Sequence, residues 1–381
     1  MASNTPSFLF FLIIFVSTLP FQSLSWNRDS DYQKWVSWNV GNHKKKTSTN
    51  KKLEIGSRKG DWEALDEKLR IAEKTKVKVT VRKDGRGDYR RIRDAIDSIP
   101  EQNTKRVVIE IGPGLYREKI VILRSKPFVT FLGDVENPPT ITGNRTAGEL
   151  GKDGKQLKTY KSATVAINSD YFLAVNMKFE NTAPIPAPGT IGGQAVALRI
   201  SGSKAAFYNC SFYGAQDTLY DHKGLHYFNN CFIQGSMDFI FGYGRSFYES
   251  CHIRSIAQNQ GSITAQKRTN ASLASGFAFT KSVIEGSGAV YLGRAWGDHS
   301  RVIYSYTYMD KLVLPEGWNN WGIEQREWTV YYGEYRCSGP GANATGRVNW
   351  ARQLTDEEAQ PFLGSYFVDA EHWLVLPQTA F

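Results

Sequence analysis

Phe207-Tyr208-Asn209-Cys210-Ser211-Phe212-Tyr213-Gly214 returns twenty-one residues later as Phe228-Asn229-Asn230-Cys231-Phe232-Ile233-Gln234-Gly235, with Phe, Asn, Cys and Gly in register. A weaker copy follows as Phe247-Tyr248-Glu249-Ser250-Cys251-His252-Ile253. Looser echoes lie at Leu173 to Phe179, Phe277 to Gly286 and Val302 to Met309. A strand-and-turn unit of this length cannot bury its own apolar face and must stack on its neighbours. The repeat therefore predicts an all-β chain wound as a parallel β-helix, with coils about 4.8 Å apart. A β-sandwich also yields many short strands, but it does not require residue identity at a fixed offset.

The cysteines follow the same winding. Cys210, Cys231 and Cys251 fall on three successive coils, and the rung spacing lies within the Cα separation that a disulfide tolerates. One neighbouring pair can be bridged, or all can be buried thiols. With Cys337, three full pairings exist and the sequence does not choose among them. The spacing is wrong for a zinc site.

Upstream of the repeat, Val77-Lys78-Val79-Thr80-Val81 alternates as a strand. Asp84 to Gly87 makes a turn, and Asp88 is expected to cap a short helix carrying Ile92, Ala95, Ile96 and Ile99 on one face, closed by Pro100. The folded domain is thus expected to span residues 77–381, with short flanking helices. Residues 26–76 read as a basic leader, rich in lysine at Lys44 to Lys46 and Lys51-Lys52, with a short helix near Trp62 to Ala72. Such a charge run is a solvated segment before it is a binding site. Residues 1–25 read as a signal peptide: Phe8 to Leu19 is almost unbroken apolar sequence, and small residues precede a cleavage point near Ser25. The rival reading, a membrane span, needs about 20 apolar residues.

Export agrees with glycosylation sequons at Asn144, Asn270 and Asn343. A fourth, at Asn209, is expected to lie inside the core pattern and to go unused. The net charge of +10 favours polyanions. For an exported chain that means acidic polysaccharide rather than nucleic acid. The 13% aromatic content suits a large core, with some rings left as platforms for sugar faces.

The winding that pairs Phe207 with Phe228 also pairs Asp217, in Ala215-Gln216-Asp217-Thr218, with Asp238, in Ser236-Met237-Asp238-Phe239. Stacked carboxylates cannot both ionise cheaply, so one pKa should rise while the other stays low. That gives a proton donor and a carboxylate nucleophile, as acyl transfer requires. Gln194 and Gln216, one coil apart, offer amide donors to a developing oxyanion. Arg294, in Leu292-Gly293-Arg294-Ala295-Trp296, is placed to hold an ionised Asp238 in a bidentate pair and keep its pKa low. Trp296, two residues on, shares its face in an extended strand and can stack on a sugar ring. Singly, each residue has an ordinary explanation as a turn, a stacking amide or a surface arginine. Four polar groups converging within three coils do not.

At these residues the chain resembles the plant pectin methylesterases, from Val77 to its C-terminus. The resemblance rests on Gly114-Leu115-Tyr116-Arg117-Glu118, Gln194 to Leu198, Gln216 to Leu219, Asp238 to Gly242 and Leu292 to Trp296, in that order. It implies a right-handed parallel β-helix with no metal and no cofactor. It also makes Asp238 the nucleophile, Asp217 the general acid/base and Gln194 and Gln216 the oxyanion hole. Arg294 and Trp296 bind substrate and order the site, and Thr164 contacts substrate. Tyr220, Phe239 and Phe241 become candidate cleft walls. The implied activity is removal of methyl esters from the homogalacturonan of cell-wall pectin, in a secreted monomer open to a proteinaceous inhibitor. Ala295 stands where the family has proline, which should loosen the backbone between Arg294 and Trp296. The leader is too short for the inhibitor-like pro-domain that many relatives carry. Two rival readings stay open. A β-helical lyase or glycoside hydrolase would shorten the polymer, and a wall-binding homologue would release no methanol.

Overall fold

The computed structural model describes residues 63–187 and 189–377. The predicted signal peptide and most of the leader lie outside them. The chain winds as a right-handed parallel β-helix, the hand that parallel crossovers almost always take. One wall is an eleven-stranded parallel sheet that opens with Val77–Val81 and Val107–Ile111 and closes with Tyr331–Tyr335 and Arg352–Gln353. A second wall begins at Leu115–Arg117 and a third at Ile120–Ile122. The long strand His252–Gln266 runs through both and joins them into one fourteen-stranded sheet.

The repeat appears as register. Phe207 pairs with Phe228, Phe228 with Tyr248, Tyr248 with Phe279 and Phe279 with Tyr304. Their rings form one internal ladder with centroids 4.8, 4.6, 4.4 and 4.5 Å apart. All five are fully buried. Burying one such side chain contributes roughly 1.5–3 kcal/mol, so the ladder is a main source of stability along the axis.

A second row sets the corner after the first wall. Asn176, Asn209, Asn230, Ser250, Lys281, Tyr306 and Arg336 all have φ between 49° and 55°. A single left-handed residue turns each coil from one sheet into the next. Asparagine tolerates that region best after glycine, and here it gains more. Asn230 Nδ2 donates to Asn209 Oδ1 at 2.6 Å, and Asn209 Nδ2 reaches Asn176 Oδ1 at 3.4 Å. Asn209 is therefore exposed on this corner, not inside the core as its apolar neighbours suggested. Cys210, Cys231, Cys251 and Cys337 each follow a corner residue, and all four are free thiols.

Two further expectations change. The helix forms at Ile92–Asp97, but Asp88 does not cap it. Asp88 instead accepts from the Thr80 backbone and hydroxyl at 2.7 and 2.8 Å. The helix N-terminus is closed by Glu118, which accepts from Ile92 N and Arg93 N at 3.0 Å each. A carboxylate suits that end of a helix dipole. The helix read near Trp62 to Ala72 is present as Glu67–Lys74, and it belongs to the folded unit rather than to a free leader. Leu69 and Ala72 are buried in a cluster with Phe362, Phe367 and Trp373 from the C-terminal turns. The buried pair Glu73–Arg106, at 2.7 Å, ties the helix to the first wall.

Candidate active site

The third wall carries the site. Ala195 N donates to the Gln216 carbonyl and Asp217 N to the Met237 carbonyl. Gln194, Gln216 and Met237 therefore occupy one position on three consecutive coils, and Asp217 and Asp238 the next. Both aspartates are left-handed, with φ of 64° and 49°. This backbone state is uncommon outside glycine, is best tolerated by Asn and Asp, and recurs at functional sites. It lets Asp238 leave the wall while Phe239, one residue on, drops into the core with no exposure. Phe239 is thus core and not a cleft wall. Tyr220 and Phe241 stack at 4.3 Å in a small cluster outside the main core, with Trp296 and Trp321 packed against it, and make the floor of the candidate site.

Asp217 and Asp238 are 8% and 5% exposed. Arg294 donates to Asp238 through Nε at 3.0 Å and through a terminal nitrogen at 2.5 Å, a bidentate fork. Asp217 has no such cation among the described residues. Burial pushes its carboxyl well above the usual range, and the neighbouring Asp238 charge pushes it further. Asp238 does not stay low as the sequence suggested. Burial raises it too, because desolvation outweighs Arg294, which only pulls it part of the way back. The pair is still split, with Asp217 the more reluctant to ionise. Arg294 is itself seated on the Trp321 ring, 4.2 Å away.

The side-chain amides of Gln194 and Gln216 are half-buried, and no partner among the described residues engages them. Thr164 Oγ1 is buried and finds no partner among the described residues, packed where a side chain on Gly143 would sit. Its hydroxyl is covered and does not line the cleft. Trp296 stands beside the floor, 6.0 Å from Phe241 and 6.1 Å from Tyr243 between ring centroids. One face of Trp296 already carries the Lys267 ammonium at 4.0 Å. Ala295 does not loosen this turn. Its N–H donates to the Asn319 carbonyl at 2.9 Å, a bond that proline could not make.

Trp321, Tyr243 and Lys267 were missed from sequence. None lies within a repeated motif.

A carboxylate held by a guanidinium, a second carboxyl one coil away whose burial favours its protonated form, and two free amides can attack a carbonyl, donate a proton and hold an oxyanion. Fold and site together define the class: a carboxylic ester hydrolase on a parallel β-helix. The chain belongs to the pectinesterase family, whose sequence model matches residues 78–371. It is 45% identical over 300 residues to Pectinesterase QRT1 of Arabidopsis thaliana, covering 78% of this chain and 79% of that protein. The structure of pectin methylesterase from carrot superposes with a TM-score of 0.71 at 35% identity, over 80% of this chain and 96% of that one. Pectin methylesterase from Aspergillus niger matches with a TM-score of 0.66 at 29% identity, over 77% and 94%.

Proposed function

We propose that this chain de-esterifies pectin by a two-step acyl transfer. The ionised Asp238 carboxylate attacks the C6 carbonyl of a methyl-esterified galacturonate unit, while Gln194 and Gln216 donate to the oxyanion. The C–OCH3 bond breaks, Asp217 gives its proton to the departing oxygen, and methanol leaves. Asp217, now a carboxylate, takes a proton from water as that water attacks the mixed anhydride. The bond to Asp238 breaks and the uronic acid is released, ionising in solution. Arg294 orients Asp238, and Trp296 packs against the polymer.

One observation carries this reading: two buried carboxylates on adjacent coils, of which one alone is held by a guanidinium. Such an asymmetry supplies the nucleophile and the acid together. The substrate class agrees with the family and with the basic net charge. Secretion to the cell wall is supported by the apolar run at Phe8 to Leu19 and by sequons whose Asn144, Asn270 and Asn343 are all exposed. Among the described residues no helix is long and apolar enough to cross a membrane. Action as a monomer and control by a proteinaceous inhibitor belong to the same reading. Thr164 enters substrate contact in it only if its hydroxyl turns outward.

The test is methanol release from methyl-esterified homogalacturonan, with polymer length followed in parallel. Methanol without shortening is expected. D238N should abolish release while retaining the fold and polymer binding, and normal turnover in that variant would overturn the assignment. Shortening of the chain would favour a lyase or hydrolase instead.

A further inference from the structure

We propose that Lys267 is a specificity residue: it recognises the free carboxylate of a galacturonate unit already de-esterified, close to the ester being cleaved. The proposal rests on the esterase reading above.

Lys267 stands at the end of the cleft floor. Across the third wall Arg199 pairs with Tyr220, Tyr220 with Phe241 and Phe241 with Ala265. Lys267 comes one residue after the strand His252–Gln266 ends, and its ammonium lies over the Trp296 and Tyr243 rings on the outer side of the wall. Its N–H donates to the Gly242 carbonyl at 2.8 Å, which places it on the coil after Tyr243. Its ammonium lies 4.0 Å from the Trp296 centroid and 5.5 Å from that of Tyr243.

The other cations here are committed. Arg294 holds Asp238. Arg199 donates to Asn168 and Ser201 and lies 3.6 Å over Tyr160. Lys119 donates to the carbonyls of Lys161 and Ala163. Lys267 has only ring faces, and no carboxylate among the described residues lies within ion-pair distance of it. Lys267 is half-buried, and a ring gives a cation about 0.5–1 kcal/mol at an exposed site and about 2 kcal/mol when desolvated. A charge-assisted hydrogen bond to a carboxylate is stronger.

The reaction itself makes that partner. Each turnover converts a neutral ester into an anion on the same polymer, and a sugar beside Trp296 lies within reach of Lys267. An enzyme with this cation prefers esters next to its own product.

Paired kinetics on fully methyl-esterified and partly de-esterified homogalacturonan at low salt test this, for wild type, K267Q, K267R and K267E. Wild type should prefer the partly de-esterified polymer. The ratio of kcat/KM values should fall about two- to fivefold in K267Q, the range of an exposed ion pair, stay in K267R and invert in K267E. An unchanged ratio in K267Q overturns the proposal. So does an equal loss on both polymers, which would mean that Lys267 merely supports Trp296. Absence of methanol from wild type on either polymer overturns the esterase reading and this proposal with it. Methanol from both with an unchanged ratio overturns the Lys267 assignment alone.

Discussion

Arg294 closes on both oxygens of Asp238, while no cation among the described residues bonds Asp217, its equivalent one coil earlier. The two carboxyls share burial and backbone conformation, but Asp238 alone is held by the guanidinium, with a further hydrogen bond from Ser262. In the proposed mechanism their division into nucleophile and acid follows chiefly from where that guanidinium falls.

Asp217 is consequently a stability burden at neutral pH. Its pKa in the fold is raised by burial and by Asp238, so the native state holds a proton that the unfolded chain releases. A group raised in this way contributes its full share below the unfolded carboxylate pKa and loses it as pH climbs toward the folded value. D217N removes the titration. The variant should match wild type near pH 4 and become progressively more stable above it, each pH unit between the two values being worth about 1.4 kcal/mol. Thermal midpoints of both proteins across pH 4–8 check this, and a constant difference would contradict it. Methanol release should be lost in the same variant.

For Asp238 the sign runs through Arg294. The guanidinium opposes the desolvation that raises this carboxyl, and the nucleophile must be ionised to attack. Lysine keeps the charge but not the fork. R294K should therefore lower kcat/KM by about 10- to 100-fold and move the acid limb of its pH profile upward. R294Q should move it further. A lowered rate with the acid limb in place would make Arg294 a substrate contact instead of the group that tunes Asp238.

What sequence made legible was whatever a twenty-one-residue offset could carry. Phe207 and Phe228, Asp217 and Asp238, and Asn209 and Asn230 each lie twenty-one residues apart, where equal spacing means stacking; Asn176, thirty-three residues before Asn209, falls outside that offset. The partner of Arg294 was legible only because few polar residues converge there. Trp321 was not, since it arrives from a loop after the third wall whose length no repeat governs. Glu118 was hidden for a related reason: it reaches back twenty-six residues to Ile92, a contact set by how the first coil closes. The raised Asp238 pKa depended on the degree of burial, which spacing does not report. Ala295 misled because the Asn319 carbonyl that receives its N–H lies on another coil.

The left-handed corner makes the last prediction. Lys281 is exposed, with φ of 51°, and its side chain serves no repeated contact of the kind Asn209 and Asn230 make. A non-glycine residue there pays roughly 1–2 kcal/mol of steric strain, which glycine removes, against about 0.5–1 kcal/mol of extra unfolded-state entropy. K281G should therefore leave stability unchanged or raise it by up to about 1.5 kcal/mol, read as an equal or higher urea midpoint. Glycine at Ala278, buried three residues earlier in the strand Gly276–Thr280, should lower it. Equal destabilisation of both variants would mean that the corner carries no conformational strain. The same comparison at Asn230 should come out opposite in sign, because glycine there also deletes the 2.6 Å bond to Asn209.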